Sequence, residues 1–279
     1  MIRVSVIIAA YNRVDLLKNC FNALLKQNYP NFEVIAVAGS SKDVIELSKK
    51  YSKKHKNFFT FETNSESPSR KRNVGIKKAK GEIIAFTDDD CIPSEDWIKN
   101  IVSEFNQTKN IVMVEGYTYT DNKNKSVFWN APQNHVGGIY PTCNLSFRKE
   151  ILEKIGGFDE AYYFFREDTD LAFAAMDYGK SIFSKKVRVF HPRRPTNKLS
   201  ILKQIFLHKE DFRLYKKFPK KFLNAFGFPL KRELIKSLIT YIFLVLGVIF
   251  SQYLVVFLIG YLILRFFSLK QYKFNFFDF

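Results

Sequence analysis

At 279 residues with 47% hydrophobic side chains, the chain holds enough apolar material for a full-size core, which excludes a disordered polypeptide and a small disulfide scaffold. Its net charge of +17 is uneven: residues 1–190 carry 28 basic and 23 acidic side chains, residues 191–279 carry 16 and 4. A basic C-terminal third beside a long apolar run points to an anionic membrane surface; no nucleic-acid motif is present, so no nucleic acid is expected as a partner. Cys20, Cys91 and Cys143 are spaced for neither a zinc site nor a disulfide frame and read as buried thiols of a reducing compartment.

In chain order, Val4-Ser5-Val6-Ile7-Ile8-Ala9-Ala10 comes first, too short for a signal peptide and running into the polar turn Tyr11-Asn12-Arg13. An apolar run without alternation predicts a strand buried on both faces. Residues 14–27 place Leu16, Leu17, Phe21, Leu24 and Leu25 at helical spacing, and Pro30 stops that helix. Residues 32–38 predict a second strand, Gly39-Ser40-Ser41-Lys42-Asp43 a turn, residues 44–51 a helix and residues 58–61 a third strand. Strands and helices alternating at this pitch mean βαβ units and a parallel sheet. Ser67-Pro68-Ser69-Arg70-Lys71-Arg72-Asn73-Val74-Gly75 then crowds cations and hydroxyls into a loop and helix start.

Glu82-Ile83-Ile84-Ala85-Phe86-Thr87-Asp88-Asp89-Asp90 organises the rest: a buried strand leads directly into three carboxylates. Open α/β sheets place ligands at the carboxyl ends of their strands. Adjacent carboxylates repel one another, so a cation belongs beside them, a hard divalent ion being the simplest. Taken alone, the run reads equally well as an acidic turn capping the next helix. With the polar turns and the basic helix start, it composes a nucleotide diphosphate site: arginines and backbone N–H groups for the phosphates, carboxylates for the metal.

Residues 97–105 predict a helix and residues 111–119 a strand with partial alternation. Residues 121–134 form a polar loop in which Trp129 either offers an aromatic face to a ligand or pins the loop. Arg166-Glu167-Asp168-Thr169-Asp170 clusters acids at a helix start, where the dipole favours negative charge, so Asp168 or Asp170 reads as a cap. His191 follows the strand of residues 187–190 and reads as a metal ligand, a diphosphate donor or a surface histidine.

Val4-Ser5-Val6-Ile7-Ile8 with Tyr11-Asn12-Arg13, Arg72-Asn73-Val74-Gly75, Asp88-Asp89-Asp90, Asn144-Leu145-Ser146-Phe147-Arg148, Gly156-Gly157-Phe158-Asp159-Glu160 and Glu167-Asp168-Thr169-Asp170-Leu171 together resemble the family-2 glycosyltransferases of GT-A fold, over residues 3–192. The resemblance implies an inverting transfer from a nucleotide-sugar donor. It places Ala10, Tyr11, Arg13, Ser40, Arg72, Asn73, Asp88 and Asp89 at the donor. Asp88 and Asp90, with His191, would hold Mg2+ or Mn2+; Asp168 would be the general base, and Glu167 and Trp129 would line the acceptor. One departure stands out. The family usually has an Asp-Asp-Gly-Ser turn after the second strand, whose acids help read the base, whereas Ala38-Gly39-Ser40-Ser41 stands here. The base must be held otherwise, by backbone groups or by Ser40.

The expected architecture is α/β: a GT-A domain over 1–195, Rossmann-like with a mostly parallel sheet and flanking helices. It divides into a nucleotide-sugar half (1–93) and an acceptor half (94–195). Residues 196–232 mix apolar and cationic side chains as an interfacial segment does, and 233–279 hold a transmembrane segment and short tail. The uncharged run 239–264 would reach about 39 Å as one helix, enough to span a membrane, with a shallow re-entrant hairpin as the alternative. The larger cation cluster before it puts the catalytic domain on the cytosolic face of the cell membrane. The function expected is transfer of a sugar to a hydroxyl of a glycan or lipid-linked acceptor. The alternatives are a polyprenyl-phosphate sugar synthase and a catalytically silent sugar- or nucleotide-binding membrane protein.

Overall fold

The computed structural model describes residues 1–121, 129–162, 164–195 and 209–227, with short helical stretches at 239, 241–243 and 259–264; the side chains of Trp129 and Asn130 lie outside that set. Two compact units divide the chain, Met1–Leu214 and Tyr215–Phe279.

The first unit is built on β1 (Val4–Ala10), β2 (Phe32–Ala38), β3 (Phe58–Glu62) and β4 (Ile83–Thr87), all parallel, in the spatial order β3-β2-β1-β4. They are connected by α1 (Val14–Leu25), α2 (Lys42–Lys54) and α3 (Pro68–Lys78). β1 has no polar face because alternate side chains enter two different cores. Val4, Val6, Ile8 and Ala10 pack with Leu17, Phe21 and Leu24 of α1, while Ile7 packs with Ile35 and Val37 of β2 and Ile76 of α3.

Beyond β4 the sheet becomes mixed. β8 (Leu145–Arg148) runs antiparallel to β4 and to β6 (Ile111–Tyr119); then come β9 (Lys180–Phe190) and the two-residue β5 (Ile92–Pro93). The ladder between β6 and β9 shifts register at Ile111/Met113 and at Gly116/Tyr117. These irregularities accompany the partial alternation in residues 111–119, and β9 begins well before the expected 187–190. A small second sheet pairs β7 (Trp129–Asn130) with β10 (Arg194–Pro195). Helices α4 (Trp97–Phe105), α5 (Lys149–Ile155) and α6 (Glu167–Ala175) complete this half.

The strand order reverses at β1, which lies between β2 and β4. Ala10 is opposite Ala38 and Ile8 opposite Thr87, so the turns after β1 and β2 and the three acids after β4 share one edge. That crevice is where a doubly wound sheet binds its ligand.

The compact unit continues past residue 195. Helix α7 (Lys209–Lys217) contributes its 209–214 portion to it, with Glu210, Asp211 and Leu214 buried. Helix α8 (Pro219–Phe226) lies in the second unit. Most of the run 239–264 is outside the described residues, and among the described residues no helix is long and apolar enough to cross a membrane.

Candidate active site

The three consecutive acids do different things. Asp89 is fully buried, accepts the Tyr11 N–H at 2.7 Å and pairs with Arg13, so it anchors the turn after β1. Burial pushes its pKa up to about 6 although Arg13 and the Tyr11 N–H pull it down. Asp88, half-buried, faces the cleft and accepts from Arg72 Nη2 at 3.2 Å. Asp90 is buried between Arg13 Nη1 at 2.8 Å, Arg194 Nε at 2.7 Å and His191 Nε2 at 3.6 Å.

His191 has no exposed surface, which removes the surface-histidine reading. Its Nδ1 lies 3.0 Å from the Pro192 carbonyl. A carbonyl can only accept, so Nδ1 carries a proton, and Nε2 is the ring atom left to ligate. That buried Nε2 makes no hydrogen bond and looks at a carboxylate oxygen. A buried ring nitrogen aimed at a buried carboxylate oxygen is an arrangement that shared metal ligands adopt. Asp88, Asp90, Cys91 and His191 each offer one ligand atom within 4.8 Å of the others. Burial raises the Cys91 thiol well above its ordinary pKa, and the two carboxylates and the imidazole are the harder donors of the set. This oxygen-rich set fits Mg2+ or Mn2+.

Arg72 crosses the floor of the cleft. It is buried, and its guanidinium bonds Asp88 on one side and Glu167 Oε1, at 3.1 Å, on the other. Arg166, with left-handed backbone (φ +72°), occupies the N-cap of α6 without a side-chain cap bond, which leaves neither Asp168 nor Asp170 as the cap. Asp168 is half-buried at the cleft wall, and its Oδ1 accepts the Thr169 N–H at 2.7 Å. Burial first, and then the neighbouring Glu167 carboxylate, raise its pKa to about 7 against the pull of Arg72 and Arg166. A carboxyl poised near neutrality beside a cleft is suited to moving a proton.

The turn after β2 is organised by a residue that sequence reasoning passed over. Ser40 donates its N–H (2.8 Å) and its hydroxyl (2.5 Å) to Glu66 Oε1, so its side chain holds Glu66 and does not line the cleft. Glu66 Oε2 accepts from Lys71 Nζ at 2.8 Å, and Lys71 also donates to the Ala10 carbonyl at 2.9 Å. These bonds, Lys71 first and Ser40 next, hold Glu66 down at a pKa of about 2. A Cβ at Gly39 would come within 2.6 Å of that carboxylate. The carboxylate absent from Ala38-Gly39-Ser40-Ser41 is thus delivered into the turn from the loop before α3.

Asn73 also faces elsewhere than expected: it donates to the Phe158 carbonyl (2.9 Å) and to Glu160 (3.0 Å) and accepts the Phe158 N–H (2.8 Å), which ties that loop to α3. Tyr11, Arg13, Arg72, Asp88, Glu167 and Asp168 share one cleft of about 680 Å³. Glu66, Lys71, Phe164 and Arg194 line it as well. Within Arg70-Lys71-Arg72 no local signal marks Lys71 and Arg72 as the buried cations. Trp129 is placed by its backbone alone, in the strand pair with Arg194–Pro195.

The sequence profile described as Glycosyl transferase family 2 matches residues 5–156. Glycosyltransferase AglE of Haloferax volcanii is 29% identical over 211 residues, 70% of this chain and 69% of that protein. The poly(ribitol-phosphate) beta-glucosyltransferase of Bacillus spizizenii is 39% identical over 99 residues, covering 33% of this chain but only 16% of its own length. Among solved structures, S. aureus TarS 1–349 with UDP aligns at TM-score 0.58 and 21% identity, over 68% of this chain and 60% of that one. The mannosyltransferase PcManGT of Pyrobaculum calidifontis with GDP-Man and Mn2+ aligns at 0.57 and 21% identity, over 84% and 68%. At such identities the structural likeness is one of fold.

Proposed function

This chain belongs to glycosyl transferase family 2, and from that premise we propose that it transfers a sugar, with inversion, from a nucleotide carrier to a hydroxyl of a glycan or lipid-linked acceptor. The observation that carries this reading is that Asp88, which groups with Asp90 and His191, lines one cleft with Asp168. Asp88, Asp90 and His191 would hold the divalent metal, which when bound offsets charge on the departing diphosphate. Arg13 and Arg194 reach the same position and offer guanidinium donors to phosphate oxygens. Asp168 takes the proton from the acceptor hydroxyl, a poor nucleophile until that proton leaves. A phosphate acceptor, as a polyprenyl-phosphate sugar synthase would use, arrives ionised and needs no such base. Asp168 at the cleft wall, where it can act as that base, supports the hydroxyl reading.

Glu66, ionised and with an acceptor position left after Ser40 and Lys71, supports a role in holding an N–H edge of the carrier base. The test is a hydrolysis panel of UDP- and GDP-sugars with Mn2+, followed by Glu66→Gln on the preferred donor. The donor KM should rise roughly tenfold, the usual worth of a charge-assisted hydrogen bond, with kcat little changed. An unchanged KM removes Glu66 from donor recognition, and no turnover across the panel removes the donor reading itself.

The basic segment 196–232 and the apolar run 239–264 support attachment to an anionic cell membrane, with the catalytic unit on the cytosolic face where sugar nucleotides are found. The full chain should stay in high-salt-washed membranes, and a chain ending at Gly227 should be released. Retention of the shorter chain would put the anchor elsewhere.

A further inference from the structure

Helix α7 lies far along the chain from the acid pair at the start of α6, yet it grips the segment that leads into that pair. Arg166 Nε donates to Asp211 Oδ1 at 2.6 Å, and Asp211 is only 1% exposed. From the same helix, Arg213 donates to the Ala161 carbonyl, and its guanidinium lies 5.3 Å from the centre of the buried Tyr162 ring. These contacts all fall within the first compact unit. Arg166 itself has left-handed backbone, a conformation that a side-chain-bearing residue keeps only where its surroundings hold it. The residue after it is Glu167, which bonds Arg72, and the next is Asp168.

We propose that Asp211 is a positioning residue for the Glu167–Asp168 pair: by holding Arg166 in its left-handed conformation, it makes α7 a working part of the catalytic unit. A buried charge-assisted hydrogen bond is strong enough to select one conformation of a short connecting segment. The direction in which the Asp168 carboxyl points follows from where α6 begins, and Arg166 is the N-cap that sets that start. A chain cut near Pro195 would therefore lose an active-site support along with everything past that residue, whereas one ending at Gly227 keeps it.

The test compares the full chain with Asp211→Ala and Asp211→Asn in two measurements. Amide hydrogen exchange of peptides covering 160–175 should quicken about tenfold or more in the Ala variant, with β1 and β4 peptides unchanged. In hydrolysis of the wild type's preferred sugar nucleotide, kcat should fall roughly 10²-fold, as misplaced catalytic groups cost, with KM within about twofold. The Asn variant should restore both, because its amide oxygen still accepts from Arg166. Wild-type exchange and kcat in the Ala variant would overturn the proposal. So would an Asn variant as impaired as the Ala variant, or a loss confined to KM. If the Ala variant does not fold, Arg166→Gly removes the gripped side chain while tolerating the backbone conformation. It should lose kcat to the same extent, and a wild-type kcat there overturns the proposal equally. The activity arm rests on the glycosyltransferase reading, whereas the exchange arm does not; a wild type that hydrolyses no donor sinks that reading alone.

Discussion

Asp90→Asn is expected to cut sugar transfer roughly 10³-fold, the rate equivalent of about 4 kcal/mol of lost charge stabilisation. The substitution keeps the shape of the side chain and removes the charge at the position where Arg13, Arg194 and His191 converge. The fold should survive it. Arg13 retains Asp89, and Arg194 is 40% exposed and can turn to water, so no buried cation is left without a partner. The measurement is a pair of titrations: Mn2+ binding followed by calorimetry, and transfer rate against Mn2+ concentration. Binding should weaken in step with rate while the melting temperature shifts by a few degrees at most. A variant that binds Mn2+ and turns over as the wild type does would remove Asp90 from the metal set. That result would also leave the unbonded His191 Nε2 without an account.

Asp168→Asn should lower transfer by roughly 10²–10⁴, the usual worth of a general base, while donor affinity barely changes. Donor binding draws instead on Arg13, Arg72 and Asp88, elsewhere in the cleft, and on Asp90, which bonds Arg13 and Arg194. The wild-type rate should fall as pH drops through about 7, because the base must be ionised to accept a proton and its pKa is raised to about 7. The asparagine variant should lose that acidic limb along with its rate.

Stability should move the opposite way. A carboxyl whose pKa is higher folded than unfolded binds protons more tightly in the folded state, so its ionisation costs stability as pH rises from about 4 towards 7, and the full cost is present above 7. Asparagine carries no such cost. At pH 8 the variant should melt above the wild type, and the gap should close below about pH 4. Its Oδ1 can still accept the Thr169 N–H, so that bond does not confuse the comparison. Full turnover in this variant would remove the base role and return a phosphate acceptor to first place. A lower melting temperature at pH 8 would mean that the carboxylate supports the fold.

How far each feature could be read in advance follows from its physics. β1, β2 and β4 are legible because strands covered on both faces must be apolar at nearly every position, and their ends are marked by turn residues. β9 is not legible over its full length, since its ladder with β6 carries two register shifts and its N-terminal part is polar and partly exposed. The acidic run after β4 stands out in composition. Its division of labour does not, because past the last ladder pair no period governs which way a side chain turns.

The sequence by itself determined the parallel βαβ frame, the edge on which ligands gather, the acidic run that marks it and the kinship with glycosyl transferase family 2. Those are properties of local pattern: periodicity reports which faces of an element are buried, and short motifs report turns and strand ends. Only the tertiary structure decided that Asp89 is an anchor, that Ser40 supports Glu66, that Asn73 ties a loop and that Asp211 reaches Arg166 from α7. Each is a pairing of polar groups distant in sequence or across a turn. A buried charge or donor must find a partner wherever the packing of the apolar elements happens to bring one, and no local pattern encodes that place.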